Sequence, residues 1–313
     1  MKAHQLESLA HQFGGFRLSR RAALGASASA LALTIGASAQ EATPQASPEA
    51  TPAASNPVTS SVPQVFGYDA FQFEFLILLG GTYERAADIG EAFAGAAQIK
   101  DADFDSWYDT WMETATRVAG IGDTADAAGH QVSAREAYLR ASNYAGEATF
   151  FTDGTKDPSR LVSTWETHRG YFDAFAARLP VPAEQVEIPY EGTTLPGYVL
   201  RTEMSESPRP WLILNNGSDG TATDMWVQSG AAALRRGYNV LIFDGPGQGA
   251  ALYRQGLFFR PDWEKVITPV VDYLLTRTDV DPDRIALQGV SQAGYWVPRA
   301  VAFEHRIAAA VAD

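Results

Sequence analysis

Along residues 65–179 apolar positions recur at helical spacing. Phe104, Trp107, Tyr108, Trp111, Met112, Ala115, Val118 and Ala119 hold an i, i+3, i+4, i+7 stripe, which predicts one amphipathic helix. Ser133-Ala134-Arg135-Glu136 reads as a capping box opening a second, with Tyr138, Ala141, Tyr144, Ala145 and Ala148 on one side. Asp157-Pro158 offers an N-cap and an N1 proline for a third, presenting Leu161, Val162, Trp165, Phe172, Phe175 and Leu179. With a further helix over 82–99, the expectation is an all-helical cap domain over 65–181, its helices packed as hairpins.

After Pro180 the period changes. Val186 to Tyr190 and Leu195 to Leu200 read as a hairpin around Glu191-Gly192. The runs Trp211-Leu212-Ile213-Leu214, Asn239-Val240-Leu241-Ile242-Phe243 and Arg284-Ile285-Ala286-Leu287 are almost continuously apolar. Such runs suit parallel strands buried on both faces. Helical segments over 222–236, 261–277 and 292–305 alternate with them, and residues 308–312 would begin another strand. Alternation of this kind predicts an α/β domain over 182–313, built on a doubly wound, mostly parallel sheet.

Composition changes the picture mainly at the N-terminus. Of 313 residues 46% are apolar and 19% charged, enough for a sizeable core, and cysteine is absent, which excludes disulfides and thiolate chemistry. The formal net charge of −13 disfavours nucleic acid and anionic membrane surfaces as partners. Ser19-Arg20-Arg21, the Ala-rich run 22–35 and Ala37-Ser38-Ala39 together resemble a twin-arginine export signal. Residues 1–39 are therefore expected to be a Tat signal peptide, which places the protein in the periplasm, at the cell surface or outside the cell. Its apolar stretch is too short to remain as an anchor, so no stable membrane insertion is expected after cleavage. Residues 40–64, with prolines at 44, 48, 52, 57 and 63, are expected to form a disordered spacer.

The chemistry-bearing stretch is Gly289-Val290-Ser291-Gln292-Ala293-Gly294, directly after the run Ile285-Ala286-Leu287. A strand turning sharply into a helix lifts a serine hydroxyl above the sheet, and small residues on either side allow the turn. Ala293 stands where the usual pattern has glycine and adds only one methyl. Ser291 is the candidate nucleophile. Asn215-Asn216-Gly217-Ser218-Asp219-Gly220 follows an earlier strand, where a loop can donate one oxyanion-hole N–H; Ser218, or its neighbour Asp219, and Gln292 are the candidate donors. Asp244-Gly245-Pro246-Gly247-Gln248-Gly249 is a weak nucleotide signal without a phosphate-loop lysine, and reads as a structural turn.

None of His4, His11, His130, His168 and His305 is placed to serve Ser291, and an ordinary packed or solvated side chain is the default for His168. No His, Asp or Glu cluster has metal-ligand spacing, so no metal and no cofactor are expected. The aromatic side chains of 107–165 read mostly as core, with one or two free to wall a substrate pocket.

These segments, together with Arg236-Gly237-Tyr238 and Arg260-Pro261-Asp262-Trp263, resemble the α/β-hydrolases. The branch is that of the 2,6-dihydroxypseudooxynicotine hydrolases and the fungal polyketide-chain-shortening hydrolases, which carry a helical domain ahead of the catalytic one. The resemblance implies a serine hydrolase that cleaves an ester or a ketone-adjacent carbon–carbon bond in a small-molecule carbonyl substrate, and the leader makes it an exported one. It admits a homodimer. In this family the acid and histidine of the triad follow the serine, so they and the remaining strands are expected beyond Asp313. The rival readings are a serine peptidase of the same fold and an exported binding protein without catalysis.

Overall fold

The computed structural model describes residues 63–313, so the leader and nearly all of the spacer lie outside the described residues. Five helices come first: α1 (Asp69–Gly80), α2 (Ile89–Ala96), α3 (Phe104–Ala127), α4 (Gln131–Thr149) and α5 (Leu161–Ala176). α3 begins where the apolar stripe does. Asp103 caps it by accepting the Ser106 N–H, and Trp107, Trp111, Ala115 and Val118 are buried along it. They pack with Phe66, Phe71, Phe75 and Tyr144 into an aromatic core, Trp111 stacking on Tyr144 at 5.7 Å. Asp157 accepts the Ser159 N–H in the turn Pro158–Arg160 that leads into α5.

Two helix starts differ from expectation. The single helix over 82–99 is instead a 3-10 turn, Gly81–Glu84, followed by α2. Arg85 adopts a left-handed φ of 61° and breaks the run; Asp88 restarts it by accepting the Glu91 N–H at 3.0 Å. The capping box at Ser133 is not used. α4 begins at Gln131 after His130, whose N–H bonds back to the Ala125 carbonyl, so the turn from α3 sets the start. Ser133 then lies inside the helix, and Glu136 pairs with Arg85.

The sheet holds β1 (Glu184–Tyr190), β2 (Thr193–Leu200), β3 (Arg209–Asn215), β4 (Asn239–Phe243), β5 (Val280–Gly289) and β6 (Ala309–Ala312). Their spatial order is β1-β2-β4-β3-β5-β6. The β1–β2 and β2–β4 pairs are antiparallel and the others parallel. Glu191 and Gly192 close the hairpin at φ of 37° and 81°, the positive values a two-residue hairpin turn of this hand needs. Between strands run α6 (Ala222–Met225), a π-helical turn (Trp226–Gly230), α7 (Ala231–Arg235), α8 (Gly249–Tyr253), α9 (Glu264–Leu274) and α10 (Ala293–Val301).

Alternation along the strands divides the core between two faces. Val199, Trp211, Ile213, Leu241, Phe243, Ile285 and Leu287 meet α9 and α10. Tyr198, Leu200, Leu214, Val240 and Ile242 meet α4 to α7 through Tyr138, Leu139, Phe172, Phe175 and Met225. The helical region thus lies on one face of the sheet, and the described residues, 63–313, belong to one compact unit. Among the described residues no helix is long and apolar enough to cross a membrane.

Candidate active site

β5 ends at Gly289 and α10 begins at Ala293, which leaves three residues to turn the chain from strand to helix. Ser291 absorbs the turn with a left-handed φ of 58°, a costly conformation for a residue with a Cβ. Gly289 is required by space: a Cβ there would sit 2.3 Å from the Ala293 carbonyl oxygen. Ala293 fits, fully buried against the α9 face of the sheet. Ser291 and Gln292 are exposed. Gln292 is the N-cap of α10, and its N–H has no acceptor among the described residues. Such an N–H at a helix N-terminus favours negative charge.

The loop after β3 comes directly against this turn. A Cβ on Gly217 would lie 2.9 Å from Ser291 Cβ and 3.3 Å from Ser291 Oγ, so only glycine admits the approach. The Val290 N–H donates to the Asn215 carbonyl at 3.3 Å and ties loop to turn. The Gly217 N–H is taken by Asn216 Oδ1 at 2.8 Å, whereas the Ser218 N–H has no acceptor among the described residues. The structure therefore brings Ser291, Gln292 and the Gly217–Ser218 peptide into one neighbourhood at the carboxyl ends of β3 and β5.

One residue of this neighbourhood, Gln248, was assigned no chemistry by the sequence reading. Its buried carboxamide donates from Nε2 to the carbonyls of Asn216 (2.5 Å) and Gly217 (2.6 Å) and accepts the Gly245 N–H at Oε1 (2.9 Å). In a trans peptide the carbonyl and the following N–H point in opposite directions. Holding the Gly217 carbonyl toward Gln248 turns the Ser218 N–H away from it. The available signal was a glutamine between Gly247 and Gly249, both at positive φ (87° and 38°), in the turn read as merely structural.

Beside the loop runs a buried polar seam. Arg169 on α5 pairs with Asp244 at 2.8 Å, and Asp244 Oδ2 also accepts the Ala250 N–H. His168 is fully buried, its Nδ1 2.8 Å from the Ser142 carbonyl oxygen, so Nδ1 carries the proton. Ser142 Oγ bonds Thr223 Oγ1 at 2.8 Å, which joins α4 to α6. Burial lowers the His168 pKa to about 4, with Arg169 adding to the effect, and leaves the ring neutral. His130 precedes α4 and His305 follows α10; no described histidine hydrogen-bonds Ser291. Also on α4, burial and the neighbouring Glu74 and Asp224 raise the Glu147 pKa well above the usual carboxylate range. Of the aromatics, Trp107, Trp111 and Tyr144 belong to the helical core, while Trp165 reaches Tyr253 of α8 at 5.3 Å. Among the described residues no three His, Asp or Glu side chains converge as metal ligands would.

Comparison with known proteins adds a consistent pattern. Hydrolase LUC6 of a Fusarium species is 39% identical over 247 residues, covering 76% of this chain and 59% of its own length. The 20-hydroxy-prefusarin hydrolase FUS2 of Gibberella moniliformis is 35% identical over 256 residues, covering 79% and 61%. The crystal structure of the 2,6-dihydroxy-pseudo-oxynicotine hydrolase matches with a TM-score of 0.64 at 26% identity, over 73% of this chain and 62% of that one. No family model matches. The chain spans about three fifths of the length of these curated relatives.

Proposed function

Because the chain belongs to the α/β-hydrolase family, related to the fungal polyketide hydrolases and to 2,6-dihydroxy-pseudo-oxynicotine hydrolase, we propose that it hydrolyses a small-molecule carbonyl compound with Ser291 as nucleophile. The observation that carries this reading is the strained Ser291 turn pressed against Gly217, with two unpaired N–H groups beside it. Ser291 Oγ adds to the carbonyl carbon and loses its proton to a base. The oxygen that gains negative charge is held by the Ser218 and Gln292 N–H groups, each worth about 3 kcal/mol where such a donor is removed. Expulsion of an alcohol, or of a carbanion stabilised by an adjacent ketone, leaves an acyl-serine that water then cleaves. The small-molecule names of the relatives support a small-molecule substrate, and the proposed target within it is an ester or a ketone-adjacent carbon–carbon bond.

The reading requires a base other than His168, which is buried with its Nδ1 committed to Ser142. The test is hydrolysis of p-nitrophenyl acetate and of a 1,3-diketone by the full-length protein and its Ser291→Ala variant. Wild type should turn over at least one of them, and Ser291→Ala should lower kcat by about four to six orders of magnitude. Undiminished turnover in the variant would remove Ser291 from the chemistry.

A further inference from the structure

At the end of the sheet away from Ser291 a second feature stands apart from the hydrolytic site. The Thr202 N–H bonds the side chain of Asn239, the first residue of β4, whereas Asp244 and the Ser291 turn lie at the carboxyl ends of their strands. Here a cavity of about 330 Å³ opens between α4, the segment joining α5 to β1, the end of β2, and the π-helical turn with α7. Arg135, Arg201 and Arg235 line it, with Trp226, Leu179 and Leu234 among its walls.

Its charge is unusual for this molecule. Among the described residues every arginine forms an ion pair with a carboxylate except Arg135, Arg201 and Arg236. Two of those three line this cavity. Arg135 donates to the Arg178 carbonyl at 3.4 Å, and Arg201 donates to Met204 Sδ at 3.2 Å, a weak acceptor. In a chain of net charge −13, arginines are easily matched with acids; two left unmatched around one hollow leave their charge available to a ligand.

We propose that this cavity binds a small organic anion, a carboxylate carried on an apolar body, at a site distinct from Ser291. Arg201 and Arg135 take the carboxylate oxygens, for which the guanidinium fork is suited. Leu179, Val181 and Leu234 receive the apolar body. The volume lies at the small end of ligand sites, which fits a molecule the size of an aryl-substituted acetate. The proposal does not rest on the hydrolase reading.

Isothermal titration calorimetry on the full-length protein tests it, with phenylacetate as probe and phenylacetamide and inorganic phosphate as comparators. Phenylacetate should bind saturably and weaken as salt is raised. Arg201→Gln and Arg135→Gln should each lower its affinity about tenfold or more, Arg201→Lys less, and Arg236→Gln not at all. Because both cavity arginines are partly exposed, melting curves are expected to show these variants folded. Phenylacetamide should fail to bind, since it lacks the charge. Equal binding of the amide would make the cavity merely apolar, and equal binding of phosphate would remove the apolar body from recognition. Unchanged affinity in both glutamine variants, or no saturable binding of phenylacetate, would overturn the site altogether.

Discussion

The two faces of the sheet are built by different means. The face under α9 and α10 is mainly apolar: Trp211, Ile213, Phe243, Ile285 and Leu287 meet Val266, Ile267, Val270 and Trp296, Trp263 stacks on Trp296 at 4.0 Å, and the Trp263 indole N–H donates to buried Asn215 Oδ1 at 2.6 Å. The opposite face has an apolar layer as well, but at one edge it passes into two buried polar groups, the Arg169–Asp244 ion pair and the His168–Ser142–Thr223 hydrogen bonds. Burial of apolar surface is nondirectional and tolerates small shifts, whereas buried polar groups must keep their partners. The polar edge is also the one that meets the loop at Gly217–Thr221: a Cβ on Gly146 of α4 would lie 3.4 Å from both His168 Nδ1 and Thr223's neighbour Thr221. Directional bonding is concentrated where the helical region has to position a loop, and apolar packing where it only has to support one.

The largest effect expected from this contrast comes from breaking the Arg169–Asp244 pair. Asp244→Ala leaves a buried guanidinium without its carboxylate and should cost about 3–5 kcal/mol. The double variant Arg169→Met with Asp244→Asn removes the charge and keeps an acceptor for the Ala250 N–H, so it should recover most of that loss. Urea denaturation of the three proteins decides the matter. A double variant as unstable as Asp244→Ala would mean that the seam holds the helices through the ion pair itself. On the apolar face no second substitution should rescue a truncation such as Val270→Ala in this way.

Next in size is a pH effect confined to the polar face. The folded protein holds His168 neutral down to about pH 4, while the unfolded chain takes the proton near pH 6.5. The unfolded state therefore binds more protons between these values, and stability falls as pH drops through that window by about 3 kcal/mol. Above pH 6.5 the residue contributes no pH dependence. A His168→Gln variant should lose this part of the acid sensitivity, as read from urea midpoints at pH 4.5 and 7; an unaltered difference between the two pH values would assign it elsewhere.

How much of this was legible in the sequence follows the same division. Strands β3, β4 and β5 were visible as apolar runs because both of their faces are buried, and the hairpin was visible because Glu191-Gly192 is turn chemistry in itself. The Ser291 turn and the loop at Gly217 were recognisable as local patterns. Their convergence at one oxyanion site was expected from those patterns, but the close approach of Gly217 to Ser291 was not, because it depends on how two crossovers bring β3 beside β5. The polar seam was invisible for a related reason: Arg169 and Asp244 stand 75 residues apart, and Gln248 and Asn216 32 apart, with no periodicity to link them. The missed break at Arg85 is different. Asp88 with Glu91 three residues later was a helix-start signal in plain view, outweighed by the apolar spacing on both sides of it.

The smallest effect expected is on catalysis, and it asks whether the polar face positions the loop or only stabilises it. Gln248 holds the Gly217 carbonyl, and through that peptide the orientation of the Ser218 N–H. Gln248→Met keeps the side chain's length and removes the clamp. If the proposed role of the Ser218 N–H is right, the loop should then sample orientations in which that donor is turned away from the developing oxyanion. Loss of a direct oxyanion donor costs about 3 kcal/mol, and a partial loss of its orientation should cost less, about tenfold in kcat or about 1.4 kcal/mol. KM should stay within about twofold, because the donor acts mainly on charge that develops in the transition state. A purely structural role would instead lower the melting temperature and the fraction of active protein, leaving the kcat per titrated Ser291 unchanged. Active-site titration of Ser291 with a phosphonate separates the two outcomes. Should Ser291→Ala abolish turnover while Gln248→Met retains full kcat per site, the nucleophile stands and the clamp does not.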